Sequence, residues 1–275
     1  MVEPTPSAAW VRRPAVAGQF YPADPVALRR AVDSLLDGAG AARQPAASAP
    51  KAIIAPHAGY VYSGPVAARA YRALAGRRDR VRRVLLAGPA HRVALAGVGV
   101  PSAAAFATPL GSVPVDAEGR EIALGIAGVA IDDAAHAEEH SLEVHLPFLQ
   151  LVLSDFTVLP LVVGRGGAPV LTAVFDALWD GDETIIVVST DLSHYHDDVT
   201  AKTLDRRTAE AIVDGRAGDI GPYDACGAGP VQGLLAAAGD HGLTTTLLDL
   251  RTSGDTAGSR DRVVGYGAFA LTPSA

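Results

Sequence analysis

Three apolar runs in this sequence end in residues that bind metals or move protons. "AIIA" runs into Pro56-His57, "VLLAG" into Pro89-Ala90-His91, and "IIVVST" into Asp191-Leu192-Ser193-His194. In an open α/β sheet the ligand site lies outside the carboxyl ends of the parallel strands, so side chains that follow such strands converge there. One histidine after a strand is most often a cap or a packed core residue. Three strand ends that each deliver His or Asp point instead to a shared site. Two histidines from separate strands plus one anionic group is the arrangement that non-haem Fe(II) uses, with coordination positions left open. Zinc with three protein ligands and a water takes the same ligand types.

Asp191, Glu143 and Cys226 are the candidates for the anion. Cys226 sits in "DACGAGPVQGLL", a few residues before a helix opened by Pro230, where the positive end of the helix dipole favours thiolate over thiol. The plain alternative is a small buried hydrophobe. The surrounding glycines, which permit close backbone approach, weigh toward a tight site.

A second dense cluster is "EEHSLEVHLPFLQ", residues 138 to 150, with Glu138, Glu139, His140, Glu143 and His145. Helical zinc pairs place histidines four apart on one face. His140 and His145 are five apart, about 140° around a helix, which argues against a ligand pair on one helix. Ser141 is the expected N-cap, and one or two residues of the segment are expected at the strand-end site while the rest face solvent. His140 and Glu143 are candidates for groups that orient metal-bound histidines by hydrogen bonding. Tyr60 and Tyr62 follow His57 closely and either line the pocket or pack beneath it. His136, His196 and His241 carry no assigned role and are expected in loops or on the surface.

Other chemistries lack their signatures. No G-x-S-x-G elbow, Walker-type loop or G-x-G-x-x-G after a strand is present. Ser189, Asp191 and His194 lie within six residues of one strand end, whereas triad members normally come from separate elements.

The elements that would position these residues alternate along the chain. Strands are expected at 51–55, 82–88, 156–164 and 184–190, and such near-continuous apolar runs suit a sheet covered on both faces. Helices are expected at about 25–37, 64–75, 116–127, 141–153 and 168–180, then near 199–214 and 230–238. Pro25 after Asp24 is a helix start with its cap. "LTTTLLDL" and "RVVGYGAFAL" are late strands that can pair antiparallel at a sheet edge. The alternation predicts an α/β three-layer sandwich with a mostly parallel central sheet. Residues 38–50 are the one linker-like stretch, and what precedes them is too short for a domain, so residues 1–275 are expected to form one domain.

Composition narrows the partners. Hydrophobic residues make up 49% of the 275 and charged ones 19%, which suits a compact globule. The net charge of −7 gives no overall positive field, so neither nucleic acid nor an anionic membrane is expected. The one basic run, Arg77 to Arg83, is expected to be a solvated loop. Residues 93–115 are uncharged apart from their ends' neighbours and long enough to span a bilayer, but Pro101, Pro109 and Pro114 with Gly97, Gly99 and Gly111 favour buried strands and turns. Cys226, the single cysteine, excludes an internal disulfide, and no apolar signal segment opens the chain. A cytoplasmic protein is the expectation.

The motifs resemble the Memo family, whose bacterial and archaeal members are called AmmeMemoRadiSam system protein B. "AGQFYPAD", "APHAGYVYSGPVAARAY", "GPAHRV", "EHSLEVHLPFLQ", "STDLSH" and "CGAGP" follow in the family's order. The resemblance implies a fold like that of class III extradiol dioxygenases and a bound iron(II) or copper ion. It implies His57, His91 and Cys226 as ligands, the cysteine standing where the dioxygenases have a glutamate. His194 is similar in position to their acid/base histidine, with Asp191 beside it. Two positions depart from the family: Arg92 where a second histidine often follows the first, and Ala228-Gly229 where a histidine often follows the cysteine's glycine. The second departure removes a potential ligand or hydrogen-bonding partner beside the metal.

The resemblance therefore implies a metal-dependent redox or oxygenase-type protein of unknown substrate, with His194 moving a proton and Asp191 orienting it. Catechol cleavage is not expected, because a thiolate donates more electron density than a carboxylate. The alternative is a non-catalytic metal-binding or scaffold protein that meets a peptide, or the radical-SAM and small partner proteins of the same system. A hydrolytic zinc site is the weakest option, since no general-base glutamate is placed.

Overall fold

The computed structural model describes residues 10–40 and 49–274; most of the linker-like stretch at 38–50 lies outside them. The strands are β1 (Val11–Arg12), β2 (Ala52–Ala55), β3 (Arg83–Pro89), β4 (Val98–Val100), β5 (Ala105–Thr108), β6 (Gly111–Pro114), β7 (Val129–Ile131), β8 (Thr157–Val163), β9 (Thr184–Ser189), β10 (His194–His196), β11 (Leu243–Thr252) and β12 (Val263–Pro273). The helices are α1 (Pro25–Gly38), α2 (Tyr60–Ala73), α3 (Ala117–Leu124), α4 (Asp133–Ala137), α5 (His140–Glu143), α6 (Leu146–Val152), α7 (Gly167–Ala177), α8 (Asp198–Val213) and α9 (Ala228–Asp240).

A nine-stranded sheet runs in the order β10-β12-β2-β9-β3-β8-β4-β7, with β11 also paired to β12. Its centre, β2-β9-β3-β8, is parallel throughout. These four strands are the long apolar runs of the sequence, and they are apolar on both sides because both faces are covered. Ile53, Val84, Leu86, Ile185 and Val187 pack with α1, α2 and α6. Ile54, Leu85, Leu159, Ile186 and Val188 pack on the other face with α7, α8 and α9. The period-2 alternation of a strand thus splits one apolar run between two cores, and the result is the expected three-layer α/β sandwich.

Asp24 caps α1 by accepting the Ala27 N–H at 2.8 Å, and Pro25 opens it. The late strands β11 and β12 pair antiparallel as expected, with β12 inside the sheet against β2. The uncharged stretch after residue 93 supplies β4, β5 and β6, and β1 joins β5 and β6 in a second, three-stranded sheet. No helix among the described residues is long and apolar enough to cross a membrane.

Three expectations change. The segment 141–153 is two short helices rather than one: Glu139, not Ser141, caps the first, and His145 with Pro147 opens the second. Residues 141–149 are all buried, so none of that stretch faces solvent. The basic run is not simply a solvated loop either. Arg77 is buried and donates to the carbonyls of Ala49 and Asp182, while Arg83 pairs with Asp116, Asp180 and Glu118. These arginines are neutralised within the chain.

Candidate metal centre

β2, β9 and β3 are neighbours, so their carboxyl ends deliver His57, Asp191 and His91 to one spot, each two residues past its strand. Cys226 arrives from the other direction, two residues before α9. Ligand atoms of His57, His91 and Cys226 all lie within 4.8 Å of one another. The backbone after Cys226 presses against the end of β9: a Cβ on Gly227 would stand 2.5 Å from the Ser189 carbonyl oxygen. Only glycine permits that approach.

The hydrogen bonds fix the rings. Ser189 Oγ donates its single proton to the Ser141 carbonyl at 2.6 Å, so it accepts from His57 Nδ1 at 2.7 Å. His57 is therefore the Nδ1–H tautomer, and its Nε2 lone pair faces Cys226 Sγ at 3.4 Å. Glu139 does the same for His91. Its carboxylate accepts the His91 N–H at 2.6 Å, His91 Nδ1 at 2.9 Å and the Ser141 N–H at 2.9 Å. Burial alone would push Glu139 up, but these bonds hold it at about 2. Both rings are left with Nε2 available, the pattern that outer hydrogen bonds impose on metal-binding imidazoles.

The donor set fits a metal ion. Nitrogen and sulfur ligands of one tetrahedral ion stand about 3.5 Å apart, given bonds near 2.1 and 2.3 Å, and the 3.4 Å between His57 Nε2 and Cys226 Sγ matches this. Burial, followed by repulsion from neighbouring imidazoles, holds His57 well below its ordinary range, so it stays neutral and able to ligate. Cys226 behaves otherwise than its place before a helix suggests. Burial first, then the charge of Asp191, pushes its thiol up to about 12. Desolvation outweighs the helix dipole, and a thiolate here requires a cation beside it.

Asp191 and His194 are brought close to this centre, but not to each other by a hydrogen bond among those of the described residues. Asp191 Oδ1 instead accepts the His57 main-chain N–H at 2.8 Å, so its carboxyl positions a ligand strand rather than orienting His194. Burial pushes Asp191 up to about 7. His194 is half-buried on β10, lowered by that burial, and packs edge-on to Tyr195 with ring centroids 5.7 Å apart.

The remaining expected residues divide. His140 belongs to the centre: its ring stacks on His91 at 4.6 Å and meets His57 edge-on at 5.4 Å. Burial and the nearby His91 lower it to about 4. Glu143 turns away, pairing with Arg12 and accepting from Tyr21 Oη and from the N–H groups of Ala15 and Val16. It clamps the N-terminal segment because an extended Glu139 at the cap sets the two glutamates on different sides. His145 bonds Tyr71 Oη through Nδ1 at 2.7 Å and lies in the core. Tyr60 packs beneath, donating to the Val144 carbonyl at 2.6 Å. His136 is fully buried, with Nε2 bonded to the Gly99 carbonyl at 3.0 Å, so it is no surface histidine.

Three contributors lacked a role at the sequence level. Ser189 and Glu139 orient the ligand rings, and Phe20, in the opening "AGQFYPAD" motif, covers His140 at 4.9 Å. Ser189 and Glu139 lie 132 and 48 residues from the histidines they hold, so no local signal marks the first two. For Phe20 only the motif itself was visible.

Comparison with known proteins agrees with this architecture. A family model described as Memo-like protein matches residues 12–270. A MEMO1 family protein of Methanothermobacter thermautotrophicus is 39% identical over 273 residues, covering 93% of this chain and 98% of the relative. One from Methanopyrus kandleri is 37% identical over 277 residues, covering 94% and 98%. The crystal structure of an uncharacterized protein from Escherichia coli K12 superposes with a TM-score of 0.52 at 16% identity, over 78% of this chain and 98% of that one, which speaks to the fold alone. With the family model spanning nearly the whole chain and relatives above 35% identity along its length, this protein belongs to the Memo family.

Proposed function

We propose that this protein is a metal-dependent redox protein in which His57, His91 and Cys226 hold iron(II) or copper. The observation that carries the reading is the pairing of two outer bonds, a buried one from Ser189 to His57 Nδ1 and a part-buried one from Glu139 to His91 Nδ1, which leaves both Nε2 atoms free around one thiol. Two imidazoles and a thiolate suit a redox metal, which when bound supplies electron transfer or oxygen chemistry. The chain's own residues do the rest. Ser189 and Glu139 orient the ligands, Asp191 anchors the His57 backbone, and Phe20 packs on the His140 ring. His194, half-buried and lowered by burial, is the group we assign to take and give a proton. A hydrolytic zinc role is less favoured, because Glu139, the carboxylate within reach of His91, is already committed to three N–H groups.

A second reading is a non-catalytic metal-binding or scaffold protein meeting a peptide or the other proteins of its system. One observation favours it: among the described residues His194 has no carboxylate hydrogen-bond partner to tune it, whereas His57 and His91 are both anchored.

Elemental analysis of protein purified anaerobically without chelator tests the first reading, beside His57→Ala, Cys226→Ser and His194→Ala. The expectation is near-stoichiometric iron or copper in the wild type and in His194→Ala, and its loss in the other two. Absence of metal after reconstitution with iron(II) and copper(I), or retention in both ligand variants, overturns it. If metal binds and His194→Ala alters no redox behaviour, the second reading stands.

A further inference from the structure

The segment from Ser189 to His194 is where the centre is assembled. Ser189 holds the His57 ring, and Thr190 Oγ1 accepts the Gly227 N–H at 2.9 Å. Asp191 accepts the His57 N–H on its carboxylate and the Cys226 N–H on its carbonyl at 3.2 Å, and its own N–H points at Cys226 Sγ at 3.3 Å. Two of the three candidate ligands, His57 and Cys226, therefore take their positions from it, while His91 takes its own from Glu139.

What fixes the segment lies one layer out. The Leu192 N–H donates to the Gly265 carbonyl and the Gly265 N–H to the Ser193 carbonyl, both at 2.8 Å. The Ser193 N–H donates to Asp205 Oδ1 at 2.9 Å. Asp205 stands on α8 and is 1% exposed. Its second oxygen, Oδ2, is buried with no hydrogen-bond partner among the described residues, as is Ser193 Oγ. The carboxyl lies so close to Gly265 that a Cβ there would come within 2.0 Å of Oδ2.

A buried carboxyl with one oxygen unsatisfied is costly, and an apolar side chain at this place on α8 would avoid that cost. The carboxyl therefore needs a reason, and the one hydrogen bond it makes to the main chain among the described residues supplies it. We propose that Asp205 is a positioning residue of the metal centre: through the Ser193 N–H, and with Gly265 kept bare to admit it, it fixes the segment on which His57 and Cys226 are hung. Burial pushes Asp205 up to about 6, so its charged form is less favoured here than for an ordinary carboxylate. Asparagine keeps the acceptor for Ser193 and is the conservative replacement.

This inference rests on the metal reading, and its test has a readout that does not. Cys226 is the chain's single cysteine, so the rate at which a thiol reagent labels the chelator-treated protein reports how firmly the segment covers Cys226. Affinity for iron(II) alone, by competition with a chromophoric chelator, is the second readout. Asp205→Ala is expected to speed labelling and weaken iron(II) binding, each by about tenfold or more, the scale set by loss of an outer-shell partner. Asp205→Asn is expected to restore both to within about twofold. Gly265→Ala is expected to act like Asp205→Ala, and the double variant to be no worse than either, because the methyl displaces the same carboxyl.

The proposal fails if folded Asp205→Ala loses thermal stability while labelling and iron(II) binding stay at wild-type values, or if Asp205→Asn does not rescue. Should Asp205→Ala not fold, the comparison of Asp205→Asn with Gly265→Ala decides in the same way. Wild-type protein that takes up no iron(II) would sink the metal reading, while the labelling rates would still judge Asp205.

Discussion

Ser189→Ala removes one oxygen and breaks two bonds. In the wild type that oxygen accepts from His57 Nδ1 at 2.7 Å and donates to the Ser141 carbonyl at 2.6 Å. His57 is 2% exposed and Ser141 fully buried, so water does not replace either bond. Each orphaned group costs about 1–3 kcal/mol, which sums to a stability loss of about 2–6 kcal/mol in the metal-free protein. The effect on metal binding is separate. Without the acceptor at Nδ1, the His57 proton is free to sit on Nε2, the nitrogen that faces Cys226, and affinity is expected to fall about 10- to 100-fold. That corresponds to roughly 1.4–2.8 kcal/mol of binding free energy. Urea denaturation of chelator-treated protein measures the first quantity, and competition for iron(II) against a chromophoric chelator the second. Nitrogen chemical shifts of His57 in the wild type should show the Nδ1–H tautomer. A Ser189→Ala protein that loses the predicted stability yet binds iron(II) within a factor of two of wild type would refute the claim that Ser189 sets the tautomer.

Three further outcomes follow from the same geometry. Glu143→Gln leaves the buried Arg12 guanidinium without its counter-charge and should cost about 3–5 kcal/mol by denaturant titration; Arg12→Met combined with Glu143→Leu should recover at least about 2 kcal/mol of it. Burial lowers His145 to about 3 and His136 to about 4. Both fold neutral and must take up a proton on unfolding below their ordinary range, so stability is full above about pH 6.5 and falls as pH drops. Between pH 7 and 5 each contributes a loss of about 2 kcal/mol, and His145→Gln should lessen that slope, whereas an unchanged slope would count against the buried neutral form. Tyr195 adopts a left-handed φ of 64° at the irregularity where β10 meets β12. Tyr195→Gly should therefore be more stable than Tyr195→Ala by about 1 kcal/mol in thermal unfolding; equal stabilities would mean the backbone relaxes.

Much of the fold was legible because its signals are local. Apolar runs of five to nine residues marked the four central strands, since a strand covered on both faces has no polar alternation to hide it. Asp24-Pro25 announced a helix start through capping chemistry confined to one turn. The residues past three strand ends were recognisable as a site for the same reason: side chains that can ligate or titrate stood where apolar pattern stopped. The short strands β1, β4, β7 and β10 were not visible individually, as two or three residues carry no period.

What the sequence determined by itself is which residue types stand at the ends of which strands, because strand length and apolar character are written in neighbouring positions. Only the tertiary structure decided which of them meet. The order β2-β9-β3 sets strand ends from positions 55, 189 and 89 side by side, and nothing local distinguishes that order from another. Glu139 and Glu143 look equivalent in the sequence, yet an extended backbone at Glu139 turns one toward His91 and the other toward Arg12. The bond that fixes His57 spans 132 residues of chain. Contacts of that separation exist only after the sheet has closed, since the packing of the whole layer, and no feature of either segment alone, brings their atoms within 3 Å.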